Sequence, residues 1–190
     1  EERKMRAQFP EATGRFVQLY KESVVSSKEI CVFIGFVDSY ERKEAGRVYS
    51  DDMFNELVYE GWFKDDKYVR GTLYMDPRYT FTGEFENGEM KRGKLELDKH
   101  VLYEGEVNAN GEMHGRGVLY TVDKNPVKMI DGCFWNNKTH GSAKVYYADG
   151  SLKYCGYFKE GLMDGKGVLF GENHAWMIGY RSLRYDIERV

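Results

Sequence analysis

Glycine returns along this chain at a nearly fixed interval, each time between bulky apolar neighbours. The anchors are Gly35, Gly61, Gly83, Gly105, Gly132, Gly156 and Gly179, separated by 26, 22, 22, 27, 24 and 23 residues. Self-similarity at a period of about 20–50 residues marks a repeat array, in which each unit buries a face only by stacking on its neighbours. With glycine as position zero, position −2 holds Phe33, Tyr59, Phe81, Tyr103, Ile130, Tyr154 and Met177. Position +2 holds Val37, Phe63, Phe85, Val107, Phe134, Phe158 and Arg181. Alternate residues of a strand share a face, so each copy presents an apolar–Gly–apolar row except the last, which Arg181 marks as incomplete. Glycine weakens a strand, and its return between two large groups implies packing that a Cβ would obstruct.

Turn chemistry follows each first strand: Glu86-Asn87-Gly88, Asn108-Ala109-Asn110-Gly111, Asn136-Asn137 and Lys159-Glu160-Gly161. Asn and Gly tolerate the positive φ of tight hairpins. Short second strands come next, among them Arg47-Val48-Tyr49, Gly71-Thr72-Leu73, Gly117-Val118-Leu119 and Gly167-Val168-Leu169. Each copy therefore reads as one β-hairpin. The expected fold is all-β: an elongated single-layer antiparallel sheet of about seven hairpins over residues 13–181. At about 4.8 Å per strand, seven copies would extend roughly 60–70 Å.

The ends differ. Leu183, Ile187 and Val190 fall at helical spacing behind Ser182, so residues 182–190 are expected to form a short C-terminal capping helix. Gly14 and Phe16 suggest a degenerate first copy at 13–30, although Phe16, Leu19, Tyr20 and Val24 also fit one face of a helix. Residues 1–12 are dominated by charge and read as a loose N-terminal tail.

Hydrophobic residues make up 42% of the chain and aromatics 15%, with 15 Tyr and 11 Phe. That profile suits a thin array whose single buried face is supplied by large rings. The net charge of −3 argues against nucleic acid as the main partner, since dedicated binders carry a clear positive excess. Cys31, Cys133 and Cys155 are too few and too scattered for a disulfide framework, which points to reduced thiols and a cytoplasmic setting.

The copy Tyr154-Cys-Gly156-Tyr-Phe158-Lys-Glu-Gly161-Leu-Met-Asp-Gly165-Lys-Gly167-Val-Leu169 resembles the MORN repeat (membrane occupation and recognition nexus) along its whole length. The copy at 103–119 adds one turn residue and has Val107 in place of the aromatic. Those at 59–73 and 81–97 keep the first strand, and the copy at 130–145 has Asn137 and Ala143 where glycines are expected. The resemblance implies an interaction scaffold that binds proteins at cytoskeletal or membrane-associated structures. It implies two alternatives as well: a peripheral adaptor on anionic phospholipid, or the regulatory segment of a larger enzyme.

The odd positions beside each glycine face away from the aromatic row and vary most. Acidic residues occupy the middle copies, with aromatics toward both ends. A groove built on Phe36, Trp62, Glu84, Glu104, Glu106, Asp131, Tyr157 and Tyr180 would suit an extended or helical basic peptide. Second-strand cations (Arg47, Arg70, Lys94, Arg116, Lys144, Lys166) offer another reading, in which carboxylates and cations pair across a solvated sheet. The aromatic row itself is also a candidate groove. For the lipid alternative the candidates are Lys91, Arg92 and Lys94, diluted by Glu86, Glu89 and Glu96. Exposed terminal strands would favour a homodimer through sheet edges.

Neither catalysis nor a cofactor is expected. His114 and His140 precede glycines in adjacent copies, too far apart to share a metal ion, and no CxxC spacing supports zinc. Gly-x-Gly at 115–117 and 165–167 leads into a strand and not into a phosphate-binding helix.

Overall fold

The computed structural model describes residues 1–22, 29–50, 55–123, 125–171 and 176–180. Its elements are a helix, α1 (Glu2–Gln8), and fourteen strands. The strands are β1 (Arg15–Glu22), β2 (Glu29–Val37), β3 (Lys43–Tyr49), β4 (Leu57–Lys64), β5 (Lys67–Asp76), β6 (Tyr79–Glu86) and β7 (Glu89–Leu97). They continue as β8 (His100–Val107), β9 (Met113–Tyr120), β10 (Lys128–Trp135), β11 (Lys138–Tyr146), β12 (Leu152–Lys159), β13 (Leu162–Phe170) and β14 (Trp176–Tyr180). The chain divides into two compact units, Glu1–Glu89 and Met90–Val190. Within each, strands hydrogen-bond in chain order. The fold is all-β, a single layer of antiparallel hairpins with one short helix.

Glycine faces glycine across the ladders. Gly35 pairs with Gly46, Gly46 with Gly61 and Gly61 with Gly71 in the first unit. Gly105 pairs with Gly117, and Gly156 with Gly167, in the second. The residue at −2 explains this. The Tyr59 ring lies across its own copy, so a Cβ on Gly61 or Gly71 would come within 2.5 or 2.7 Å of its hydroxyl. That hydroxyl donates to the carbonyls of Trp62 (3.0 Å) and Arg70 (2.8 Å). Tyr103 repeats the arrangement over Gly105 and Gly117, donating to Glu106 O at 2.8 Å, and Tyr154 lies over Gly156 and Gly167. Each tyrosine thus covers a pair of glycines and satisfies backbone acceptors where the ladder shifts register.

Positions −2 and +2 form the core. Tyr59, Phe81 and Tyr103 are fully buried, and Phe33, Phe63, Phe85, Phe134, Tyr154 and Phe158 nearly so. Edge-to-face ring contacts join Tyr59 to Phe63 and Phe85, Tyr103 to Phe134, and Tyr154 to Phe158. Such contacts add about 0.5–1.5 kcal/mol beyond area burial.

Several two-residue hairpin turns have positive φ at both central residues, as at Asn87-Gly88 (57° and 92°) and Asn136-Asn137 (47° and 66°). This is the twist-matched geometry for two-residue hairpins. Asp65-Asp66 adopts it too (50° and 60°), a turn the residue types did not announce. Turn side chains also join one copy to the previous one. Asp66 accepts from Lys43 N at 2.9 Å, and Asn137 from Met113 N at 2.8 Å.

The termini need one correction and one limit. The described part of residues 13–30 forms a strand and not a helix, and β1 pairs with β2, which already belongs to the next copy. Residues 1–12 are not a loose tail. Met5 is fully buried, and Phe9 and Ala12 nearly so, in one cluster with Phe36 and Ala45. Burying Met and Phe contributes about 1.5–3 kcal/mol each, enough to hold a helix too short to form by itself. The closing helix expected at 182–190 lies outside the described residues.

Candidate functional site

The odd positions form the face opposite the aromatic core, and register sets their neighbours. In the first unit one row runs Ile34, Arg47, Glu60, Thr72, Thr82, and the other Phe36, Ala45, Trp62, Arg70, Glu84. In the second unit Lys94 faces Glu104, Glu104 faces Val118, Val118 faces Asp131 and Asp131 faces Lys144. Arg92 faces Glu106, and Ser142 faces Tyr157.

In the first unit this face is already occupied. Residues 1–12 lie over it, with Phe9 edge-on to Trp62 (ring centroids 5.8 Å apart) and the Arg6 guanidinium 4.8 Å from the Phe36 ring centroid. Phe36 and Trp62, expected to receive a partner, instead hold this chain's own N-terminal segment. Phe36 is fully buried. The charges differ from expectation as well. Arg47 takes Gln8 at 2.8 Å and Glu1 at 3.8 Å, and Arg70 takes Glu11 at 2.9 Å. At this end the sheet supplies cations and the bound segment supplies acids, the reverse of an acidic floor under a basic peptide. Just beyond, the Glu44 carboxylate accepts from Thr13 N (3.0 Å) and Gly14 N (2.7 Å), fastening the chain where it enters β1.

Sequence reading missed this segment because six of the first eight residues are charged or amide-bearing. The usable signal was Met5, Phe9 and Ala12, spaced four and three apart on one face.

The second unit presents its odd face differently. Glu104 and Glu106 are exposed, and Tyr157 and Trp135 are more than half exposed. Trp135 follows the buried Phe134 and packs at 4.4 Å against the His114 ring, whose Nδ1 is 3.3 Å from Asn136 Oδ1. Asp131 is half-buried and accepts from Lys128 on its own strand at 3.0 Å. The hydrogen bond that Lys128 donates to Asp131 raises the Lys128 pKa, against the opposing effect of burial. In the first unit Arg47 and Glu60 do close across strands, at 2.5 Å, and Glu84 is exposed opposite Arg70. The backbone of Tyr180 pairs with Lys166, while its side chain is outside the described residues.

The phospholipid candidates do not gather. Arg92 and Lys94 share the odd face, opposite Glu106 and Glu104, and alternation sends Lys91 to the other side. Among the described residues, no group of three or more His, Cys, Asp or Glu could hold a metal ion. The three cysteines are free. Burial pushes the Tyr59 and Tyr103 phenols well above the ordinary range, so both stay protonated donors. No helix among the described residues is long and apolar enough to cross a membrane.

With hairpin, glycine pair and covering tyrosine in view, the family match is direct. The MORN repeat model matches residues 103–125, 131–152 and 154–175. Residues 103–175 are MORN repeats. No curated protein matches the chain. The copy at 59–73 has the same anatomy as the matched copies at 103–125 and 154–175, since Tyr59 sits on Gly61 and Gly71 as Tyr103 sits on Gly105 and Gly117. MORN repeats are modules of the binding type, so the chain carries an interaction scaffold.

Proposed function

We propose that this chain is a non-enzymatic scaffold that binds a partner protein or peptide along its sheet, at a cytoskeletal or membrane-associated structure. The observation that carries this is the contrast in aromatic exposure in the second unit. Phe134, Tyr154 and Phe158 are 3–5% exposed, whereas Trp135 and Tyr157 on the odd face are 54% and 56% exposed. Rigid rings with a polar edge are the side chains that most often anchor an interface. The carboxylates of this face sit opposite cations, with Glu104 facing Lys94, Glu106 facing Arg92 and Asp131 facing Lys144, so the exposed rings and not net charge are the anchors. Phe36 and Trp62 belong to the surface already covered by residues 1–12.

The test is capture from the native cell by the wild-type chain and by a Trp135→Ser, Tyr157→Ser variant, with quantitative mass spectrometry. A specific partner should fall at least tenfold with the variant. Equal recovery would overturn the assignment of this face. Co-sedimentation with liposomes, with and without phosphoinositide, separates the lipid alternative. Pelleting of the bare chain at physiological salt would displace protein binding as the primary activity.

A further inference from the structure

Residues 1–12 are more than a cover: they show what the odd face of the first unit accepts. The bound segment has three components. Apolar anchors Met5, Phe9 and Ala12 enter the cluster formed with Phe36 and Ala45, with Trp62 packed alongside. Acidic or amide groups at both ends, Glu1, Gln8 and Glu11, meet Arg47 and Arg70. The helical turn between them is held by Met5 N to Glu1 O and Phe9 N to Met5 O. On the sheet, each receptor arginine is itself positioned. Arg47 is held by Glu60, and the Arg70 guanidinium lies 4.8 Å from the Trp62 ring centroid.

We propose that the odd face of β2–β5 is a helix-binding surface whose resident occupant is residues 1–12. Its partner in trans is an amphipathic helix of the same chemistry: two large apolar residues one turn apart, flanked by acids. The sheet contributes an aromatic floor and two fixed cations, and both are features of the receptor, independent of which chain supplies the helix. The resident segment acts as an intramolecular competitor. A short tether holds it at an effective concentration in the millimolar range, so a trans helix must outcompete it or find it released. This rests on reading the sheet as a binding surface, but it assigns a different face region from that of the second unit.

The probe is a fluorescein-labelled synthetic peptide of residues 1–14, titrated by anisotropy. The receptor is the full chain, as wild type and with Met5→Glu and Phe9→Glu to release the resident segment. The released variant should bind the peptide at least tenfold more tightly than the wild type, and Trp62→Ala in that background should lose tenfold or more. Equal affinity for released and wild-type chains, or binding unaffected by Trp62→Ala, would overturn the proposal. Should the released variant fail to fold, Arg47→Glu with Arg70→Glu leaves the apolar anchors intact. Hydrogen exchange of residues 1–12 should then rise at least tenfold, and a peptide with Glu1→Lys and Glu11→Lys should bind this variant better than the native peptide does. Unchanged exchange, or no preference for the charge-reversed peptide, would sink it. Failure here leaves the second-unit assignment, which is tested through Trp135 and Tyr157, where it stands.

Discussion

Two neighbouring copies in the second unit meet the same steric requirement in opposite ways. In the copy at 103–119, Tyr103 lies across Gly105 and Gly117, and a Cβ on Gly117 would come within 2.1 Å of its hydroxyl. In the copy at 130–145, position −2 is Ile130 and the second glycine is Ala143, which pairs with Gly132 in the same register. Isoleucine is too short to reach over the second strand, and the alanine methyl fills the space the phenol would take. Ala143 is 5% exposed. What the repeat must keep is therefore the summed volume above the ladder, and glycine on the first strand. Gly132 remains obligatory there because a Cβ would meet that of Ala143 at 2.3 Å.

The largest effect that would break this comparison is at the first glycine. Gly105→Ala places a Cβ 2.5 Å from the Arg116 carbonyl oxygen and the Gly117 Cα, both backbone atoms that cannot swing away. The expected loss is about 3 kcal/mol, the upper end for overpacking, by chemical denaturation. A loss under 1 kcal/mol would remove the steric account of the period.

Tyr103→Phe comes next, at about 1.5 kcal/mol, since it leaves the Glu106 carbonyl without its phenol donor. Ile130→Val, which touches no such bond, should cost about 1 kcal/mol through lost volume alone.

Alkali sharpens the contrast. The folded phenols of Tyr59, Tyr103 and Tyr154 ionise less readily than unfolded ones, with burial as the leading cause. The unfolded chain then sheds protons first as pH rises past the ordinary phenol value. Stability is full below about pH 10 and falls above it, by at most about 1.4 kcal/mol per pH unit for each phenol. Site-resolved exchange should show the loss in the tyrosine copies, and a uniform loss that includes the Ile130 copy would contradict this.

Smallest is Ala143→Gly, at about 1 kcal/mol or less, from added backbone freedom and one lost methyl. A larger cost would mean that Ala143 has a role beyond filling volume.

Much of the fold was legible because period and alternation are local. Gly61, Gly83 and Gly105 announce the strands, Asn87-Gly88 and Asn136-Asn137 announce the turns, and Phe63 and Phe158 announce the buried face. The tyrosine hydroxyl bonds were not legible, since they depend on a register shift beside each glycine that composition does not reveal. Ala143 read as a departure from the pattern, and only the length of Ile130 against Tyr103 shows it as a compensation. The cover over part of the odd face was not legible. Alternation separates the odd positions from the aromatic row, yet whether a row is open depends on chain that returns from far away in sequence, as the buried Phe36 and Ala45 show. Phe36 and Trp62 are covered by Met5 and Phe9, and no spacing within the repeats encodes that.

The tyrosine lid on the glycine pair has an evolutionary consequence. Because folding demands are met by the even face and the turn side chains, substitutions at exposed odd positions such as Glu104, Glu106 and Tyr157 cost the fold little. On the proposed reading, selection on partner choice can act at those positions without opposing selection on folding. On that reading a lineage built on this repeat can exchange one binding partner for another by single substitutions, while the scaffold beneath it is inherited unchanged.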